Sequence, residues 1–337
     1  MKFGRRVFLG GAAVLMAGTR AHGAGEERVM TVTGAVNVSG VGLMLPHEHL
    51  FSNFGADAAE HARYEESALL AQVVPYGRKL KELGCDAVAD CTAAWFGRRP
   101  DLLAKISRET GLKILTNTGL YGAANDRYVP EYARSETADQ LAARWIGEWE
   151  NGIGDSGIRP GFMKIGVDPG ALSKLDAKLV RAAAITHRET GLAIAVHTGA
   201  STESVRGQLG ILGEEGVAPS AWIWVHANKM QDATELVRVA RQGGWVELDG
   251  VSADAENNAE HLRLLGALRE SGYLDRVLLS HDGNSFRYGG RPMKPYDGLF
   301  THFLPAMKKA GYGDEEIRQV TVLNPRQAFR VARRLRR

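Results

Sequence analysis

From residue 41 to residue 282 the chain repeats one pattern, a short run of apolar residues followed by a longer stretch in which apolar positions recur every three or four residues. The runs are Val41–Leu45, Ala87–Asp90, Ile114–Asn117, Phe162–Ile165, Ala193–Val196, Trp222–Val225, Trp245–Leu248 and Val277–Leu279. Near-continuous apolar runs of this length are how strands covered on both faces read. The stretches between them, for example Leu69–Leu83, Leu102–Thr110, Ala138–Glu150 and Leu175–Thr190, carry the helical period. Gly84, Gly111, Gly191 and Gly243 fall just past helix ends, where a left-handed residue is needed. Eight buried strands alternating with amphipathic helices predict an α/β fold, a closed parallel (β/α)8 TIM barrel. Val29–Val38, rich in Val and Thr, predicts a short N-terminal β extension. No internal repeat or linker divides the chain, so residues 24–337 read as a single domain.

The segment before it has a different character. Residues 1–23 combine Arg5-Arg6, an apolar stretch from Gly10 to Gly18 and a small-residue site at Ala21-His22-Gly23. That order reads as an export signal of the twin-arginine type, and the stretch is far shorter than the ~20 apolar residues a membrane span requires. The mature protein is therefore expected in the periplasm or outside the cell. The full chain has a formal charge of +3; losing Lys2, Arg5, Arg6 and Arg20 and no acid leaves −1. A near-neutral chain gives no electrostatic reason to expect a nucleic-acid or membrane-surface partner. Cys85 and Cys91 flank one strand, ~20 Å apart if extended, and read as separate thiols. A chain that folds before export could take up metal first.

Chemistry in such a barrel collects at the C-terminal ends of the strands. Strand one ends in His47 and His49, which a period of two places on one side. Strand four ends in Lys164, strand five in His197, strand six in His226 and strand eight in Asp282. Four imidazoles, a carboxylate and a lysine on one face suit a metal site better than a set of core histidines. A protonated lysine has no lone pair to offer a metal. Carboxylation by carbon dioxide would make Lys164 a carbamate, an anionic ligand able to bridge two ions; a salt bridge to Asp168 is the simpler alternative. His281 should point away from the lumen, and His61, His187, His261 and His302 lie on loops or helices where surface roles suffice.

Leu45-Pro46-His47-Glu48-His49-Leu50, Gly161-Phe162-Met163-Lys164-Ile165, Val196-His197-Thr198, Val225-His226 and Ser280-His281-Asp282 resemble the phosphotriesterase family of the amidohydrolase superfamily, and the likeness extends to Asn324-Pro325-Arg326-Gln327-Ala328-Phe329. The resemblance implies a hydrolase with two divalent ions, usually zinc, with iron, cobalt or manganese as alternatives. His47, His49 and Asp282 would hold the buried ion and His197 and His226 the exposed one. N6-carboxylated Lys164 would bridge them together with a hydroxide, and Asp282 would be the proton acceptor, which makes Asp282 and Lys164 the catalytic residues.

For substrate, the family resemblance divides. Paraoxon-hydrolysing members have an aspartate three residues after the strand-six histidine and a histidine at the end of strand seven, where this chain has Lys229 and Gly250. Quorum-quenching lactonases have an arginine at the latter position. Tyr121, after strand three, matches the lactonase tyrosine, although an aromatic packing role would read the same. Trp95 and Phe96 offer an apolar wall, Arg98 and Arg99 an anion-binding fork, and Gly283–Pro295, with Asn284, Arg287 and Tyr288, a loop over the mouth. Tyr121, Trp95, Arg98, Gly250 and Asn284 are thus the candidate substrate-binding residues. The expected substrate is a small lactone or carboxyl ester, then an organophosphate triester, then a sugar-phosphate lactone. A metal-binding barrel without activity is the non-enzyme alternative, which a missing ligand would betray. A homodimer is compatible with all of these.

Overall fold

A computed structural model describes Met1 and residues 27–336, so the expected export signal lies outside the described residues apart from Met1. The N-terminal extension is an antiparallel hairpin of β1 (Arg28–Thr31) and β2 (Gly34–Asn37). Ten further strands follow. They are β3 (Leu43–Ser52), β4 (Cys85–Asp90), β5 (Lys113–Leu115), β6 (Asn117–Thr118), β7 (Phe162–Gly166), β8 (Ile194–His197), β9 (Trp222–Val225), β10 (Trp245–Leu248), β11 (Val277–Leu279) and β12 (Gly283–Arg287). All pair in parallel, in two runs: β12-β3-β4-β5 and β6-β7-β8-β9-β10-β11. The runs are halves of one ring. β5 and β6 are one strand interrupted at Thr116, and β11 and β12 one strand interrupted at residues 280–282. Within that second gap Ser280 N still donates to Leu248 O, whereas Asp282 N donates to His47 O, so the strand changes partner and closes an eight-stranded barrel.

The expected runs and the observed strands differ where polar residues begin. The first strand continues through both histidines to Ser52 rather than ending at Leu45. Pro46 has no N–H for a ladder bond, and a register shift between Leu45 and Glu48 against β4 absorbs the missing bond. The expected mouth loop begins as β12, paired with β3, before folding back at Lys294, which exchanges both backbone bonds with Asn284. Helix ends follow their local chemistry: reciprocal capping by Thr137 and Gln140 opens the helix Ala138–Asn151, and Gly191, at φ 77°, closes Lys174–Thr190.

Two apolar layers hold the barrel. Leu69, Leu103, Leu141, Leu179, Leu212 and Leu264 lie in the outer one, between helices and strands. The inner one fills the lower lumen with Met44, Ala87, Leu115, Phe162, Ala195, Ile223 and Leu278, closed from beneath by Val29, Val41 and Phe329. Cys85 belongs to the outer layer and Cys91 to the inner; both are buried free thiols. Among the described residues no helix is long and apolar enough to cross a membrane. With its lower end packed among the described residues, the barrel is open to chemistry at its upper end.

Candidate metal centre

A cavity of about 350 Å³ opens at the C-terminal ends of the strands. His47, His49, Lys164, His197, His226 and Asp282 all line it. His47 and His49 come from the extended end of β3, Lys164 from the middle of β7, and His197 from the last residue of β8. His226 and Asp282 stand just past β9 and β11, and both have left-handed backbones, φ 63° and 51°. A non-glycine residue there is strained, and the strain turns each side chain inward at a strand end.

The hydrogen bonds behind the imidazoles decide which nitrogen faces the cavity. Asp249 accepts from His47 Nδ1 at 2.8 Å and from His226 Nδ1 at 2.9 Å, and its Oδ2 also takes the His226 N–H at 3.0 Å. Thr92 Oγ1 donates to Phe51 O and so accepts from His49 Nδ1, at 2.8 Å. Each of these rings therefore presents an unprotonated Nε2 to the lumen. Burial, reinforced by Lys164, lowers the His47 pKa to about 3, which keeps its ring neutral; burial and then His226 hold His197 well below the ordinary range.

Two of these nitrogens, on His47 and His49, face the lone pairs of a carboxylate. Asp282 Oδ1 lies 3.6 Å from His47 Nε2 and 3.4 Å from His49 Nε2. His226 Nε2, without a proton, accepts from His197 Nδ1 at 2.8 Å. Converging acceptors with too few protons between them are a site built for cations. Lys164 makes the same point from the other side: it is 1% exposed, and its Nζ has no hydrogen-bond partner. An ammonium so placed has lost its water and gained nothing. A carbamate on that nitrogen, between ions, would remove the anomaly. The donor set thus fits two divalent ions: His47, His49 and Asp282 for one, His197 and His226 for the other, with Lys164 between. His47, His226 and Asp249 also cluster closely enough to suggest a metal, but that carboxylate is already occupied by both Nδ1–H groups.

Several residues of this machinery escaped the sequence reading. Asp249 and Glu247 end strand seven two residues apart, and only position 250 drew notice there. Burial, and then the charge of Asp249, raise the Glu247 carboxyl well above its ordinary range. Glu48, between the two histidines, faces away from them and accepts from Ser280 Oγ, His281 N and Gly283 N, with His281 Nδ1 2.6 Å away. It splints the bend of strand eight. His281 does point away from the lumen, but it is buried rather than on the surface, as are His187 and His261. Alternating acids at 247 and 249, on the lumen side of a strand, were the available signal.

The candidate substrate contacts divide. Tyr121 and Asn284 line the cavity, Tyr121 with its ring 5.1 Å from that of His197. Trp95, Arg98 and Gly250 do not. Trp95, at φ 73°, turns its ring towards Tyr132, so Phe96 with Phe54 forms the apolar wall. Arg98 is committed to Glu148 at 2.6 and 2.8 Å and to Asn117 O, and Arg99 to Asp101. At Gly250 a Cβ would stand 2.5 Å from Asn228 Nδ2 and 2.9 Å from His261 Nε2, so the space a larger residue would take is filled.

Residues 27–329 match the profile of the phosphotriesterase family. A phosphotriesterase homology protein of Escherichia coli is 28% identical over 295 residues, covering 86% of this chain and 98% of its own. The organophosphorus hydrolase of Deinococcus radiodurans superposes with a TM-score of 0.81 at 28% identity, over 90% of this chain and 96% of that one. A structure described as organophosphate hydrolysis engineered from a weak promiscuous lactonase template gives 0.80, also at 28% identity, over 90% and 99%.

Proposed function

The chain belongs to the phosphotriesterase family and is a metal-dependent hydrolase, and from that premise we propose that it cleaves a lactone or carboxyl ester at a binuclear centre. The observation that carries the binuclear reading is Lys164, a buried amine without a partner amid four imidazoles and Asp282. The proposed ions are zinc, and Lys164 reacts with carbon dioxide, its nitrogen bonding the carbon and releasing a proton. Bound there, the ions would lower the pKa of water and polarise the carbonyl of the substrate. Asp249 and Thr92 hold three imidazoles in the tautomer that leaves Nε2 free. Asp282 takes the proton released on attack. Phe54, Phe96 and Tyr121 seat the apolar part of the substrate, and the Tyr121 hydroxyl donates to the departing oxygen, which a lactone keeps tethered.

A lactone or ester is preferred to a phosphotriester because Lys229 and the crowded Gly250 supply no side-chain path for protons outward, whereas Tyr121 supplies a donor at the cavity wall. The likeness to an organophosphorus hydrolase favours the triesterase as the second reading. The deciding assay strips metal with a chelator, reloads Zn2+, and measures a δ-lactone, an aryl acetate and paraoxon side by side. Activity should vanish and return, with higher kcat/KM on lactone or ester. Paraoxon as the better substrate would establish the second reading, and no turnover of any of the three by the reloaded protein would sink the proposal. Export through the twin-arginine route completes it; reporter activity lost on Arg5→Lys/Arg6→Lys would support that route, and activity unchanged would refute it.

A further inference from the structure

The mouth of the cavity has two unlike walls. One is aromatic, formed by Phe54, Phe96 and Tyr121. The other carries Lys229 in the turn after β9, Arg287 at the end of β12 and Lys294 on the returning limb of the loop, while Asp282 is the one acid among the residues lining the cavity. Lys294 is engaged: its Nζ donates to Asp282 O at 2.5 Å and lies 3.1 Å from Asp282 Oδ2. Lys229 and Arg287 have no such carboxylate. Arg287 Nη1 donates to Pro292 O at 2.9 Å, and among the described residues neither side chain forms an ion pair within 4.0 Å. Arg98, Arg99, Arg144, Arg181 and Arg269, by contrast, each pair with a carboxylate. Two cations without counter-charges, facing a concave wall of low dielectric, form a trap for an anion.

Resting on the hydrolase reading, we infer that the substrate is an ester or lactone bearing an anionic group, carboxylate or phosphonate-like, which Lys229 and Arg287 bind while its apolar part lies on the aromatic wall. The anion-binding fork expected at Arg98 and Arg99 is tied up in ion pairs; this second set lines the cavity itself and is free to take its place. Lys229 then has a positive function at a position where paraoxon-hydrolysing relatives carry an aspartate, and the same substitution that removes a proton path adds an anion contact.

The test compares three 4-nitrophenyl esters whose acyl chains end in a carboxylate, a phosphonate or an uncharged methyl ester, on metal-loaded wild type and on Lys229→Met/Arg287→Met. Wild type should prefer the anionic esters by about fivefold for each cation engaged, as expected of partly exposed ion pairs, with the preference shrinking as salt is added. In the double variant the ratio of anionic to neutral kcat/KM should fall towards one, chiefly through KM; which anion suffers more identifies the group. Equal use of charged and neutral esters by wild type, or a ratio that the double variant leaves unmoved, would overturn the inference. Calorimetric titration with glutarate separates this from failure of the hydrolase reading. If no ester is cleaved, glutarate binding by wild type that is lost in the double variant still supports the anion subsite, and absent or unaltered binding refutes it.

Discussion

Below Lys164 the barrel interior consists of Met44, Ala87, Leu115, Phe162, Ala195, Ile223 and Leu278; above it the same strands present His47, His49, His197, His226, Asp249 and Asp282. Three strands cross from one regime to the other within two or three residues, Met44 to His47 on β3, Phe162 to Lys164 on β7 and Ala195 to His197 on β8. The lower half is held by close packing of apolar atoms, whose loss is felt locally. The upper half is held by buried hydrogen bonds that fix ring orientation and tautomer, whose loss leaves charges unmatched. Backbone strain follows the same division: Trp95, Ala124, Asn125, Asp126, His226 and Asp282, the non-glycine residues with positive φ among those described, all lie beyond the C-terminal ends of strands. Stability is built below, and strain is accepted above where a side chain must be aimed.

Changes made in one half should therefore leave the signature of the other intact. The largest effect on turnover with the fold preserved is expected at Asp282→Asn, which should keep much of its metal and unfold normally while kcat falls by about 10²- to 10⁴-fold, the usual range for loss of a proton acceptor. Near-full activity would reduce Asp282 to a ligand. In the lower half, Phe162→Ala empties a site packed against Phe329, ring centroids 5.2 Å apart. It should lower unfolding free energy by about 3–5 kcal/mol without changing metal stoichiometry. A loss of metal as large as the loss of stability would show that the halves are not separable.

A third prediction concerns pH. His187 is buried, its Nδ1 2.8 Å from Leu192 O and its Nε2 accepting from Arg334 N at 2.8 Å, and burial lowers its pKa to about 4. Its folded pKa lies below the unfolded 6.5, so the unfolded chain takes up a proton first. Stability should be complete above about pH 6.5 and decline as the pH falls towards 4. In urea titrations of the metal-free protein, His187→Gln should show a shallower decline than wild type; an identical slope would place the titration elsewhere. The smallest effect is Tyr121→Phe, which should cost lactone turnover several-fold and paraoxon turnover less, because only the hydroxyl is removed. Equal losses would make Tyr121 a packing residue.

The strand order and the cavity-facing residues were legible because each strand end is short and its residue types are rare there. What stayed hidden depends on contacts between distant segments. Glu48 looks like a surface acid until strand eight bends against it, and Asp249 gains meaning only when His47 and His226 are both at hand. Trp95 and Phe96 cannot be told apart by type; a single left-handed residue chooses between them. Sequence likewise does not show that Arg98 has a carboxylate within reach.

The central claim is that Lys164 is the anionic link of a two-ion centre, and metal content measured on Lys164→Ala tests it most directly. Wild type should hold about two divalent ions per chain. Lys164→Ala should hold markedly fewer and be nearly inactive, with partial recovery of both metal and turnover when a short carboxylic acid is supplied. A Lys164→Ala protein that retains the full metal complement and wild-type turnover would contradict the account.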